Sequence, residues 1–180
     1  MNKSLLLSSI VILFTLTSCS KKLTYFSNNL YSDFNWSEEE LKKIQFYLSE
    51  DIKLVRAANS GSSTIEDGKI KINDNSKVDE IYIKKGTPGI LVFSPKENRF
   101  AVSFDKDSKK YLMFGPNEKA NGRYVLMAKD WKKSEGVITY GKEKYYTSSK
   151  SAYAALMVDV KKASRSIKRT DTASGRKVRG

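Results

Sequence analysis

Cys19 is the single cysteine of the sequence, and the sequence contains no histidine. Without histidine, the commonest general base is missing, and the Ser-His and Cys-His catalytic arrangements are excluded. A Ser-Lys mechanism needs a serine three residues before a buried lysine, but Thr147 holds that position before Lys150. We therefore expect no nucleophilic catalysis from this chain.

Any metal site would have to use oxygen ligands alone, since no second cysteine and no histidine are present. The acidic clusters are residues 38–40, 79–80, and Asp105 with Asp107. The first is explained by helix capping, and the last lacks the glycine and distal glutamate of a calcium loop. We expect no metal and no cofactor. A hydrolase that uses two carboxylates stays an alternative, although no pair stands out.

An apolar run over residues 5–16 precedes Cys19, with Lys3 before it. This arrangement is typical of a signal peptide. The run is shorter than the ~20 residues that a helix needs to cross a bilayer. Its end, Leu16-Thr17-Ser18-Cys19, resembles the lipobox of bacterial lipoproteins. The resemblance implies cleavage between Ser18 and Cys19, a diacylglycerol on the Cys19 thiol, and often a further acyl chain on its amino group. Several acyl chains give stable membrane anchoring.

The residues after Cys19 indicate which membrane carries the anchor. Lipoproteins with aspartate in the next position tend to stay in the inner membrane, and Ser20 stands there instead. The resemblance thus implies the outer membrane of a Gram-negative cell. Lysines at 21 and 22, in place of an acidic export signal, favour its periplasmic face. The outer face of a Gram-positive plasma membrane is the alternative.

Four segments follow from these patterns. Residues 1–18 are the signal peptide, 19–35 a lipid-anchored tether, 36–163 a β-rich globular domain, and 164–180 a basic flexible tail. The later part of the tether is rich in aromatic residues, which are rare in disordered spacers, so we expect it to dock on the domain.

A capping box marks a helix over residues 37–49. Ser37 and Glu40 have the spacing in which each side chain satisfies the backbone N–H of the other. Trp36 and Leu41 are placed for a hydrophobic staple. Leu41, Ile44 and Leu48 would then line one helical face.

From residue 52 onward the apolar residues alternate, which is typical of strands. The predicted strands lie within residues 52–57, 63–72, 77–85, 89–95, 99–105, 110–116, 123–131 and 136–148. We predict a hairpin turn at Asp67-Gly68, further turns at 105–108 and Gly115-Pro116, and a fold-back at Gly141. The predicted fold is mainly β (α+β): an antiparallel sandwich or partly open barrel with one N-terminal capping helix. Residues 151–163 fit either a strand or a helix, and the alternation favours a strand.

The net charge of +13 is concentrated at the C-terminus. From residue 161 onward there are eight basic residues and one acidic residue. The basic residues expected to contact an anionic partner are Lys161, Lys162, Arg165, Lys168, Arg169, Arg176, Lys177 and Arg179. Aromatic residues do not interleave with the tail, which argues against nucleic acid.

These patterns predict a non-catalytic binding or assembly module of a cell-envelope complex. Its expected partners are the membrane, through the acyl chains on Cys19, and an envelope protein. The alternative is an envelope-structural or ligand-binding lipoprotein that contacts peptidoglycan or anionic lipid through its basic residues.

Overall fold

The computed structural model describes residues 22–57, 63–66, 69–72, 78–132 and 135–167. In chain order its elements are β1 (Thr24–Tyr25), α1 (Asn28–Phe34), α2 (Glu38–Leu41), β2 (Gln45–Leu48), β3 (Ile52–Ala57), β4 (Ser63–Glu66), β5 (Lys69–Ile72), β6 (Val78–Ile83), β7 (Pro88–Lys96), β8 (Arg99–Ser103), β9 (Leu112–Asn117), a 3-10 helix (Glu118–Ala120), β10 (Arg123–Leu126), β11 (Trp131–Lys132), β12 (Glu135–Tyr140), β13 (Glu143–Ser148), a second 3-10 helix (Ser149–Tyr153), β14 (Leu156–Val158) and α3 (Val160–Ser166). Among these residues no helix combines the length and apolarity needed to span a membrane.

Two antiparallel sheets make up most of the described chain, which confirms the predicted mainly β fold. Sheet 1 has the strand order β1-β14-β2-β7-β8-β9-β10, and sheet 2 has the order β11-β12-β13-β3-β6. Strands β4 and β5 form a separate two-stranded hairpin. Its register pairs Glu66 with Lys69, so the connection has two residues, as predicted. The turn residues 67 and 68 lie outside the described residues.

Sheet 1 curls so that its last strand approaches its first. The amide of Tyr124 donates to the carbonyl of Phe26 at 2.9 Å, and that of Leu126 donates to Ala154 at 2.9 Å. These contacts appear as two isolated bridges rather than a continuous ladder of described residues. The sheet therefore wraps around its core without closing into a barrel.

An aromatic cluster fills the inside of the curled sheet. The ring of Phe26 is fully buried, and its centroid lies 4.9 Å from that of Tyr124 and 5.3 Å from that of Phe46. The Tyr124 hydroxyl donates to Asn98 Oδ1 at 2.8 Å. Burial raises the pKa of Tyr124, because the charged phenolate would lose its hydration.

The tether expected over residues 19–35 is wrong for residues 24–35, which belong to the folded domain. Strand β1 pairs with β14, Phe26 enters the core, and α1 follows directly. Ser27 caps α1 by accepting from the amide of Leu30, and Asn35 ends it with a positive φ of 45°. The expected docking is confirmed, and it starts at Thr24. Residues 1–21, which include the predicted signal peptide, lie outside the described residues.

The helix predicted over 37–49 is wrong beyond its first turn. The capping box is present: the amide of Ser37 donates to Glu40 Oε2 at 2.8 Å, and the amide of Glu40 donates to Ser37 Oγ at 3.3 Å. Helix α2 nevertheless ends at Leu41, and β2 begins at Gln45. Strand β2 lies inside sheet 1 between β14 and β7, where Phe46 and Leu48 are both fully buried. Tertiary packing here overrides local helical spacing.

Two further corrections concern strands. Gly115-Pro116, predicted as a turn, lies within β9, and the chain reverses later, at Asn121 and Gly122, which both have positive φ. The strand predicted over 123–131 is divided into β10 and β11. The predicted fold-back at Gly141 is confirmed, because Tyr140 pairs with Glu143 and Gly141 has a φ of 63°.

The ambiguous segment 151–163 contains both structures. Strand β14 occupies its middle, as the alternation favours, with Leu156 and Val158 fully buried. The second 3-10 helix ends before it and α3 begins after it. Because α3 runs to Ser166, the tail predicted from residue 164 does not start there. Residues 168–180 lie outside the described residues.

Candidate functional site

A cleft opens where the chain passes from sheet 1 to sheet 2. After β10, residues 127–130 cross between the sheets and are hydrogen-bonded to both. The amide of Met127 donates to the carbonyl of Met113 at 2.8 Å, and that of Lys129 donates to Val137 at 2.9 Å. These bonds hold β9, the crossing segment and β12 at fixed separations. The cleft is therefore part of the folded backbone.

The cleft has a volume of about 440 Å³. This lies within the range of about 300–1,000 Å³ typical of small-molecule sites. Its described lining is Phe93, Pro95, Lys96, Arg99, Tyr111, Met113, Met127, Ala128, Lys129, Val137, Ile138 and Thr139. Sheet 1 thus supplies one wall, β12 the other, and the crossing segment joins them.

The lining is mostly apolar and partly adaptable. Phe93 and Tyr111 form an edge-to-face pair with ring centroids 5.0 Å apart. Methionine has three rotatable bonds and a polarizable sulfur, so Met113 and Met127 can adjust to ligands of irregular shape. This composition is suited to an apolar ligand.

Gly115 explains how two lining side chains approach β9. A Cβ at this position would lie 2.7 Å from Met127 Sδ and 3.0 Å from Arg99 Nη1. Arg99 Nη1 donates to Met127 Sδ directly above this glycine. Gly115 therefore leaves the space in which the guanidinium and the thioether meet.

Three cations line the cleft, and none of its described lining residues is acidic. Lys96 and Lys129 are exposed, while Arg99 is partly buried. No ion pair between these three and a carboxylate is found among the described residues. The cost of partly burying the guanidinium charge is therefore not fully offset by an opposite charge. The cleft thus combines apolar walls with an excess of positive charge.

The acidic clusters considered from the sequence have structural roles. Glu80 pairs with Lys53 at 2.7 Å, on the exposed side of sheet 2. Asp79 Oδ2 lies 2.9 Å from Arg56 Nη2, and Glu143 Oε2 lies 2.6 Å from Arg56 Nη1. Arg56 therefore joins β6 and β13 to its own strand β3. The remaining cluster, residues 38–40, belongs to the first turn of α2.

The loop at residues 105–110, compared above with a calcium loop, is stabilised by hydrogen bonds within itself. Asp105 Oδ1 accepts from the amide of Asp107 at 3.0 Å, and Asp107 Oδ1 accepts from that of Lys109 at 3.0 Å. The Asp107 amide is the main cause that lowers the pKa of Asp105, with Lys110 adding to it. These carboxylates stabilise the predicted turn.

Thr147 does not form a nucleophile pair with Lys150. Its hydroxyl is buried and donates to the carbonyl of Lys53 at 2.8 Å, linking β13 to β3. Lys150 is exposed in the second 3-10 helix. The Ser-Lys pattern therefore has no geometric support.

The predicted anion-contacting residues are only partly described. Lys161, Lys162 and Arg165 are exposed on α3, whose N-cap Asp159 accepts from the amide of Lys162 at 3.1 Å. Lys162 borders a hollow of about 140 Å³, below the usual size of a ligand site. The remaining predicted contacts lie outside the described residues, namely Lys168, Arg169, Arg176, Lys177 and Arg179. Ser18 and Cys19 also lie outside them.

The cleft was not found by sequence reasoning. Its residues come from four strands and a crossing segment, and each reads locally as an ordinary strand position. Gly115 was interpreted as part of a turn, whereas its role is to admit Arg99 and Met127.

Comparison with known proteins found no matching protein-family model, curated protein or solved structure.

Proposed function

We propose that this protein is a lipid-anchored, non-catalytic binding protein of the bacterial cell envelope, placed at the periplasmic face of a Gram-negative outer membrane. The observation that carries the proposal is the cleft between the two sheets. The resemblance of residues 16–19 to a lipobox supports the location. The binding role replaces the broader expectation of a binding or assembly module.

The backbone geometry of the cleft supports binding. Because Met127 and Lys129 are hydrogen-bonded to different sheets, a ligand does not have to open the site first. Preorganisation of this kind lowers the entropic cost of binding. The apolar walls supply the favourable term, at about 25 cal/mol for each Å² of apolar surface removed from water.

The chemistry of the lining supports binding rather than reaction. Its described polar side chains are three cations, the Tyr111 phenol and the Thr139 hydroxyl. None of its described lining residues is a carboxylic acid that could act as a general base. For Lys96, Arg99 and Lys129, the natural role is electrostatic attraction.

The test is site-specific photo-crosslinking of the full chain in whole cells. A photoreactive phenylalanine analogue replaces Thr139, which is exposed at the rim of the cleft. The same analogue replaces Lys84, exposed after β6 and absent from the cleft lining, as the matched control.

We expect irradiation to give an adduct of discrete mass at position 139 and none at position 84. The adduct identifies the ligand by mass spectrometry, whether it is a lipid or a protein. Equal products at both positions, or no product at 139, would contradict a binding role for the cleft.

A further inference from the structure

We infer that the cleft binds a free medium-chain fatty acid, with the alkyl chain between the sheets and the carboxylate beside Arg99. This inference rests on the proposed function, because it names the ligand of the same site. It follows from three properties of the cleft: its volume, the type of its walls and the placement of its charges.

The volume limits the ligand to one short chain. A water molecule occupies about 30 Å³ of the liquid, so 440 Å³ corresponds to about fifteen such volumes. A methylene group and a water molecule are of similar size. The cleft therefore has room for a chain of about 12 to 14 carbon atoms with its head group, and the second chain of a phospholipid would lie outside it.

The walls are suited to methylene groups. Phe93, Met113, Val137 and Ile138 offer apolar surface on both sides of the cleft. A peptide of equal volume would bring several backbone N–H and C=O groups, and each would need a partner away from water. Among the described lining side chains, hydrogen-bonding groups are too few to satisfy them. An alkyl chain has no such requirement.

The charges indicate the head group. Lys96, Arg99 and Lys129 attract an anion, and Arg99 is the one that is partly buried. A guanidinium binds a carboxylate through two parallel hydrogen bonds, a geometry that an ammonium does not offer. Arg99 Nη1 already contacts Met127 Sδ, a weak acceptor that a carboxylate oxygen would outcompete.

The test uses isolated membranes that contain the full-length chain, washed free of nucleotides so that fatty acids are not activated. The probe is a 12-carbon fatty acid with a diazirine near its methyl end. After irradiation, digestion and mass spectrometry locate the label. We expect it on peptides that contain Phe93, Met113 or Val137.

Competition separates the contributions of chain and charge. Unlabelled dodecanoate should displace the probe, whereas dodecanol, with the same chain and no charge, should be at least tenfold weaker. In a series of carboxylates, each added methylene should improve competition about fourfold, since its burial contributes about 0.8 kcal/mol. The gain should stop at about 14 carbon atoms, where the cleft is full.

Arg99→Gln should reduce labelling about tenfold or more, because it removes a charge-assisted hydrogen bond. Lys85→Gln, the same change of charge at an exposed site outside the cleft, should leave labelling unchanged. The carboxylate series on the unchanged protein tests the inference independently of how either variant folds.

Equal competition by dodecanol, or affinity that rises without a limit in chain length, would overturn the inference. A protein adduct at position 139 without fatty-acid labelling would also overturn it, while leaving the proposed binding function intact. Absence of any adduct at 139 together with absence of label would refute both.

Discussion

Replacement of Phe26 by alanine tests whether the N-terminal segment belongs to the folded domain. Phe26 is fully buried, although it lies within the region that the sequence assigns to a tether. Its ring meets five others, with centroid distances from 4.9 Å to Tyr124 up to 6.1 Å to Trp36. The adjoining backbone links β14 to β10, because Phe26 N donates to Leu156 O and Phe26 O accepts from Tyr124 N.

The expected loss of stability is large. Truncation of a buried phenylalanine to alanine costs about 3–5 kcal/mol, including the cavity that remains. Lost edge-to-face contacts favour the upper half of that range, since each aromatic pair adds about 0.5–1.5 kcal/mol beyond its buried area. We therefore expect about 4 kcal/mol. For a domain of this size that corresponds to a fall in Tm of roughly 8–16 °C.

Urea unfolding of a chain that lacks residues 1–18 measures the effect, with tryptophan fluorescence as the signal. Trp36 is suitable because its ring is 5% exposed and stacks on Phe26. Tyr153→Ala is the control: an aromatic ring is again removed, but that side chain is 62% exposed. We expect the control to lose about 1 kcal/mol or less. Phe26→Leu, which keeps more of the volume, should fall between the two.

Equal free energies of unfolding for Phe26→Ala and Tyr153→Ala would refute the reasoning. That result would mean that residues 24–35 do not contribute to the core and that the tether is as long as the sequence suggests. A changed slope of free energy against urea in Phe26→Ala alone would indicate that the segment detaches before the rest unfolds.

Three other changes test separate features. Burial raises the pKa of Tyr140 to about 12. The free energy of unfolding should therefore keep its full value below about pH 10, the pKa of an unfolded tyrosine, and decrease as the pH rises toward 12. Urea titrations across this pH range should show a smaller decrease for Tyr140→Phe. Arg56→Lys should lower the free energy of unfolding slightly, because an ammonium lacks the planar fork with which the guanidinium meets carboxylates from two neighbouring strands; an unchanged free energy of unfolding would show that these ion pairs do not stabilise the fold. Cys19→Ala should leave the signal peptide uncleaved and abolish acylation, as measured by the mass of the chain and by labelling with radioactive palmitate; an acylated variant would refute the anchor.

The strands were predictable because their alternation is a local property. In β3, for example, Ile52 and Leu54 are fully buried while Lys53 between them is exposed, so a period of two identifies both faces. Fold class followed from the number and spacing of such segments. No knowledge of the strand order was needed for that conclusion.

The beginning of the domain was harder because its local signals conflict with its packing. The capping box correctly places the start of α2. Ile44 and Leu48 then continue a helical spacing, yet Phe46 is also buried, which only an extended segment between two strands allows. The helix stops because β2 gains two neighbouring strands, a long-range contribution that local pattern does not report.

The cleft depends on long-range structure even more strongly. Phe93, Met113, Met127 and Val137 are separated by 10 to 20 residues in the sequence, and only the folded sheets bring them together. The sequence did not single out Arg99 as a binding residue, because it is one of many basic residues in the chain. Its importance comes from partial burial, from the absence of an acidic partner among the described residues, and from the space left by Gly115.

The early start of the domain also bears on how the proposed anchor and the proposed cleft would work together. With lipid on Cys19, five peptide steps separate the anchor from Thr24, and the fully extended chain spans at most about 18 Å over that distance. The folded domain would therefore stay near the lipid head groups of its own leaflet and could not reach across the periplasm. A fatty acid that leaves the bilayer would meet the cleft at a high effective concentration. The exposed cations of α3 would add about 1 kcal/mol each when held within a Debye length of an anionic surface. The proposed lipid on Cys19 would thus favour a ligand drawn from the membrane that holds it.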